Sequence, residues 1–172
     1  SLGVGTFTSS GAFTASGPVN IAGAIASFQG AFTAGAVTLL SGSVSLAGGG
    51  SASSWWNGGR MELGNKTLSL TGGYIQTAAG VLAVRMDGKL PGQFGRVTSN
   101  GAISLSGGVE ISWAPGYRPL DATPFDFVTG SSRIGTFGSV VIQTLGVYRT
   151  FLTTYLPTGV RLWVYAVGME GP

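Results

Sequence analysis

Residues Asn65–Val128 read NKTLSLTGGYIQTAAGVLAVRMDGKLPGQFGRVTSNGAISLSGGVEISWAPGYRPLDATPFDFV, and their reading decides the fold class. Leu68 and Leu70 alternate with Ser69 and Thr71 before Gly72-Gly73 turns the chain. Val81, Ala83 and Arg85 alternate with Leu82, Val84 and Met86, and Asp87-Gly88 closes that run. Ile103 and Leu105 repeat the pattern ahead of Gly107-Gly108, and Val109, Ile111 and Trp113 follow. Period-two alternation between glycine turns is the signature of half-buried strands. No segment carries a helical period, because glycine interrupts nearly every ten-residue window and disfavours a helix by about 1 kcal/mol relative to alanine. The expectation is an all-β chain.

The same stretch resembles a known family. Gly73-Tyr74-Ile75-Gln76-Thr77-Ala78-Ala79-Gly80-Val81-Leu82 looks like the Y-x-Q-T-x-x-G-x-L element of secreted bacterial β-solenoid proteins, namely autotransporter passengers and filamentous-haemagglutinin-like adhesins. Phe94, Val97, Gly101, Leu105 and Gly107 match the segment that follows it in that family, and Gly116, Tyr117, Pro119, Phe125, Phe127 and Val128 match the next. The resemblance covers the middle third of the chain and rests on glycines and apolar positions. It implies a parallel β-helix (β-solenoid) and an extracellular or cell-surface location, and assigns no catalytic residue.

Working outward, the composition fits one domain of 172 residues with few charges. Only 9% of residues are charged, against about a quarter in ordinary soluble domains, and Ser, Thr, Gly and Ala stand in their place. The first charged residue is Arg60, so residues 1–59 form a neutral block suited to packing against like surfaces. The formal charge of +3 comes from scattered cations with no basic run, which excludes the clustered footprint of a nucleic-acid binder. Residues 19–40 are free of charge, but their glycines, Asn20 and Gln29 argue for strands and turns rather than a membrane span. The N-terminus carries no charged and apolar leader pattern, so a mature or excised fragment is expected.

An apolar-x-apolar-x-Gly pattern starts at Val19, Val44 and Leu68, at intervals of about 25 residues, a length suited to one solenoid rung. The next copy starts at Ile103, which implies an inserted loop around Lys89-Leu90-Pro91-Gly92. A second echo, Gly11-Ala12-Phe13-Thr14 and Gly30-Ala31-Phe32-Thr33, has a shorter interval and stands outside that register. The organisation read from these patterns is charge-poor rungs over residues 1–90, then final rungs and an aromatic-rich capping region over residues 91–172. A two-sheet β-sandwich is the alternative for that second part.

With no histidine and no cysteine, the chain lacks Ser-His-Asp and Cys-His constellations, thiolate sites and disulfides. Calcium-loop spacings are absent, so no metal and no cofactor are expected. The one enzymatic arrangement left is a carboxylate pair, Asp121 with Asp126, with Glu62 and Glu110 further off. Here Asp121 reads as a turn residue and Asp126 as the partner of an arginine. Asn65-Lys66-Thr67 fits a glycosylation sequon.

The aromatics carry the functional expectations. Trp55 and Trp56 are consecutive, so on a strand they face opposite sides; with Trp113 and Tyr117 they are the candidate ligand-binding residues. Tyr148, Phe151, Tyr155, Trp163 and Tyr165 concentrate near the C-terminus and are the candidate assembly residues, in a region able either to cap a repeat stack or to pair with another subunit. The function expected is a non-enzymatic extracellular structural or adhesive segment, partnered by copies of itself or by the rest of a larger surface protein. The alternative is a phage tail-fibre or carbohydrate-binding module whose exposed Trp and Tyr contact glycans.

Overall fold

A computed structural model describes residues 1–120, 122–143 and 149–166. They are all-β, with no helix among them, and form one curled mixed sheet of 17 strands. In chain order these are β1 (Gly5–Ser9), β2 (Phe13–Thr14), β3 (Val19–Phe28), β4 (Phe32–Leu46), β5 (Gly50–Asn57) and β6 (Arg60–Gly64). Next come β7 (Thr67–Leu70), β8 (Tyr74–Gln76), β9 (Val81–Met86), β10 (Arg96–Ser99), β11 (Ile103–Leu105) and β12 (Gly108–Trp113). The last five are β13 (Thr123–Thr129), β14 (Arg133–Gly135), β15 (Ser139–Ile142), β16 (Arg149–Leu156) and β17 (Gly159–Ala166). Both halves share this sheet, so the described residues from 91 onward do not build a separate sandwich.

Among the described residues all strand pairings but two are parallel, and they fall into three columns. The inward residues of the first run Phe7, Ala26, Val44, Met61, Leu82, Val109 and Val140, each paired with the next. Those of the second run Phe13, Phe32, Gly50, Leu68, Val97 and Val128. Those of the third run Val19, Val37, Trp55, Tyr74, Ile103 and Arg133. Most of these side chains are fully buried, and like stacked on like fills the space between the columns with one apolar core. At the N-terminal end the filling is aromatic: Phe13 stacks on Phe32 at 5.4 Å, and Phe32 meets Trp55 edge-on at 5.9 Å.

The register corrects the spacing expected from sequence. Val19 pairs with Val37 and Phe32 with Gly50, so one full turn is shorter than the interval from Val19 to Val44. Val19, Val44 and Leu68 belong to the third, first and second columns, and each interval between them is one full turn plus one further side. The echo at Phe13 and Phe32, by contrast, marks a true pair. Later the advance widens: Thr67 pairs with Arg96, and Val97 with Val128. The extra length leaves the stack as loops. The segment around Lys89–Gly92 is one, closed where the Asp87 and Gly88 amides donate to the Gln93 carbonyl.

Glycine is required where adjacent turns touch. A Cβ on Gly30 would lie 2.5 Å from the carbonyl carbon of Gly11, and one on Gly48 would strike the backbone of Gly30. At the corner where β4 bends from the third column to the first, Gly42 has φ +88° and lies against the Ala24 backbone.

The two antiparallel pairings close the second column. β17 pairs with β13, and β16 pairs with β17 as a hairpin. From β16, Phe151 stacks on Trp113 at 5.6 Å, and Tyr155 lies 6.4 Å from Phe137 and 5.3 Å from the Arg133 guanidinium. Arg133 also donates through Nε to the Leu156 carbonyl at 2.8 Å. These side chains cover the end of the core. Residues 19–40 fold as strands, and among the described residues no helix is long and apolar enough to cross a membrane.

Candidate binding groove

The four expected ligand-binding aromatics do not form one surface. Trp55 is 1% exposed and Trp113 is 6% exposed, so neither ring offers a face to a ligand, which corrects both expectations. Their inward direction follows from register: Trp55 sits between Val37 and Tyr74, and Trp113 beside Met86. Trp113 donates from Nε1 to the Gln143 carbonyl at 2.9 Å, whereas Trp55 Nε1 is buried without a partner. Trp56 faces outward and is half-buried, with its ring over Gly58. Tyr117, half-buried, lies 6.4 Å from Trp113, and burial raises its pKa.

The assembly candidates divide by face. Phe151 and Tyr155 pack on this chain's own core as described. Trp163 and Tyr165 lie half-buried on the outer face of β17, with near-parallel rings 6.1 Å apart and the Arg161 guanidinium 5.3 Å from Trp163. Tyr148 lies outside the described residues. So does Asp121, and Asp126 is held by Arg161 through two hydrogen bonds of 2.7 and 2.8 Å.

Sequence reading singled out Tyr74-Ile75-Gln76 for resemblance only, yet these residues build the one buried polar network described. The Tyr74 hydroxyl donates to Gln76 Oε1 at 2.7 Å, and Gln76 Nε2 donates to the carbonyls of Gly80, Ser106 and Gly108 at 3.2, 2.9 and 2.7 Å. Asn57, one turn earlier and paired in register with Gln76, donates to the Tyr74 hydroxyl and to the Val81 carbonyl. Buried carbonyls at a turn need such donors. Full burial also raises the Tyr74 pKa well above its ordinary value. The network closes turns and faces no solvent.

A concavity lies outside, across the first column. Its volume is about 370 Å³, and it runs over β6, β9, β12 and the end of β15. Glu62, Ala83, Glu110 and Val141 are register partners along one row of its floor. Arg60 at one end pairs with Glu110 at 2.8 Å, with about two-fifths of each side chain exposed. At the other end Arg85 makes a two-pronged pair with Asp87, at 2.6 and 2.8 Å. These bonds hold the Asp87 carboxyl below the usual carboxylate range and raise the guanidinium pKa, and Asn65 adds a hydrogen bond to Asp87 at 2.6 Å. Glu62 is exposed and carries no ion pair among the described residues. Among the described residues no cluster of three or more His, Cys, Asp or Glu side chains is placed to hold a metal. Sequence reading named Glu62 and Glu110 only as distant carboxylates. Their shared row, two strands apart, appears only once the pairings of β6 with β9 and of β9 with β12 are known.

Comparison with protein-family models and with curated proteins finds no match for this chain.

Proposed function

We propose that the chain is a β-solenoid segment of a non-enzymatic extracellular or cell-surface protein, of the kind its middle third resembles, acting through surface display and self-association. The observation that supports this is the set of three parallel columns visited in fixed order, with mostly apolar inward rows that Gly50 interrupts only in the second. Such stacks gain stability turn by turn, each contacting only its neighbours, and so build long stiff surfaces from short units. The Tyr74–Gln76 network gives the family-like element a physical task, since it ties three successive turns together. Open strands support self-association: among the described residues β1 pairs only with β3, and β15 only with β12. An unpaired edge of this kind templates a further strand.

The test is small-angle scattering combined with negative-stain microscopy across a concentration series, with fibre diffraction from the filaments. At strand spacing the seven first-column strands span about 29 Å, so end-to-end stacking predicts filaments with the strand repeat of about 4.8 Å along their axis. Concentration-dependent filaments of uniform width are expected. Filaments whose fibre diffraction lacks that repeat along the axis would overturn the solenoid; stable monomers at every concentration would overturn self-association alone.

A further inference from the structure

We propose that the groove across β6, β9, β12 and β15 binds a neutral oligosaccharide lying across the strands. The proposal rests on the reading of the chain as an exposed solenoid surface. Its lining carries two cations, Arg60 and Arg85, and two anions, Glu62 and Glu110, so the charges cancel. A charged polymer would meet repulsion from one pair wherever it met attraction from the other. A hydroxyl-rich neutral chain can donate to the carboxylates and accept from the guanidiniums at once. Ser112 and Gln143 add neutral hydrogen-bonding groups.

The floor suits the other side of a sugar ring. Gly64, Ala83 and Val141 present small or aliphatic surface between the charges, while Val84 and Ile111 turn their side chains into the core and leave only backbone at the floor. Gly64 has φ +55° and open space where a Cβ would stand, beside the register shift between Glu62 and Gly64. That irregularity opens the row instead of closing it with a side chain. Strands in the column stand about 4.8 Å apart, close to the rise per residue of an extended hexose polymer. Successive sugars would therefore meet equivalent positions on successive strands, and the three gaps from β6 to β15 span about 14 Å.

Two of the polar groups are already oriented. Arg60 is fixed by Glu110, and Arg85 by Asp87, which is itself held by Asn65. Glu62 is the free acceptor. Prior fixing lowers the conformational entropy lost on binding.

The experiment is titration of the full chain, isotopically labelled, with cellohexaose, chitohexaose and, as a charged comparator, hexagalacturonate, following backbone amide resonances. Saturable shifts at Glu62, Ala83, Glu110 and Ser112 are expected with at least one neutral probe and not with the comparator. Ala83→Trp, which fills the floor from its outward side, is expected to abolish them, and Glu62→Ala to weaken binding about tenfold. Ser69→Trp, on the outer face of the second column, controls for an added indole and should leave binding unchanged. The proposal is overturned if no neutral probe shifts these amides at about 1 mM. It is equally overturned if hexagalacturonate binds as well, if Ala83→Trp with native dispersion still binds, or if the shifts fall on Trp163 and Tyr165 instead. None of these results would alter the filament repeat, so failure here stays separate from failure of the solenoid reading.

Discussion

The side-chain amide of Gln76 donates to the carbonyl of Gly108 at 2.7 Å, one turn further along the stack. It also donates to the buried Gly80 carbonyl, which the Gly108 amide shares, and to the part-buried Ser106 carbonyl. Gln76→Leu keeps much of the volume and removes every donor. Leaving a buried acceptor unpaired disfavours the folded state by about 1–3 kcal/mol, and because the Gly80 carbonyl keeps the Gly108 amide as a donor, about 2–3 kcal/mol is the expected total. Urea unfolding of the variant checks this, with Ile75→Thr on the exposed face as the control. A loss under about 1 kcal/mol would mean that the network is not a determinant of stability.

Gly11, Gly30 and Gly48 stack at one turn with no room for a Cβ between them. Gly30→Ala must displace backbone rather than a flexible side chain, so a loss of about 2 kcal/mol or more is expected. Gly17 has nothing within 4 Å of its Cβ position and an ordinary φ. Gly17→Ala should therefore be neutral or stabilising by about 0.5 kcal/mol through the unfolded chain. Paired thermal melts of the two variants read the contrast, and equal effects would contradict the stacking of these turns.

The sequence made the strands legible because alternation and glycine turns are local. It also held a true pairing in the Phe13 and Phe32 echo, which is weak because the neighbouring positions are Gly, Ala, Ser and Thr. The stronger apolar-x-apolar-x-Gly signal misled for a geometric reason: three sides of similar length carry the same alternation, so a shift by one side looks like a repeat. Once loops lengthen the later turns, as between Thr67 and Arg96 or Val97 and Val128, no fixed period remains to read. The groove was hidden for the same cause. Glu62 and Glu110 are far apart in sequence and share a row only through Ala83. Trp55 and Trp56 were legible as an opposed pair, but which of them faces the core depended on column and register.

Alkaline pH tests the buried tyrosine. Burial raises the Tyr74 pKa, and it also raises those of Tyr117 and Tyr155. The folded state thus keeps protons that the unfolded state releases above about pH 10. The stability these groups contribute is full below that pH and falls as pH rises beyond it. Each retained proton contributes a slope of up to about 1.4 kcal/mol per pH unit. Tyr74→Phe should flatten the decline between about pH 10 and 11 by up to that amount while lowering stability at neutral pH through loss of the hydroxyl bonds. An unchanged alkaline slope in denaturant melts would contradict burial of this group.

Phe151 lies on Trp113 at 5.6 Å with planes 24° apart, and that contact joins the β16–β17 hairpin to the parallel columns. The hairpin does two things: it covers the C-terminal end of the core at Trp113 and Phe137, and through β17 it occupies the edge of β13. Phe151→Ala removes the ring without touching the hairpin's backbone pairing, so loosening of the cap is expected rather than unfolding of the columns. A loss of about 2 kcal/mol fits a half-buried phenylalanine at the low end of core truncations. Exposure of Trp113 would appear as a red shift in tryptophan emission. Because a freed β13 is a parallel edge that another chain can extend, light scattering should rise with concentration faster than in the parent chain. Emission and scattering should change together if the cap both seals the core and limits assembly. A red shift without added scattering would confine the hairpin to sealing the core, and would place any self-association at β1 or β15.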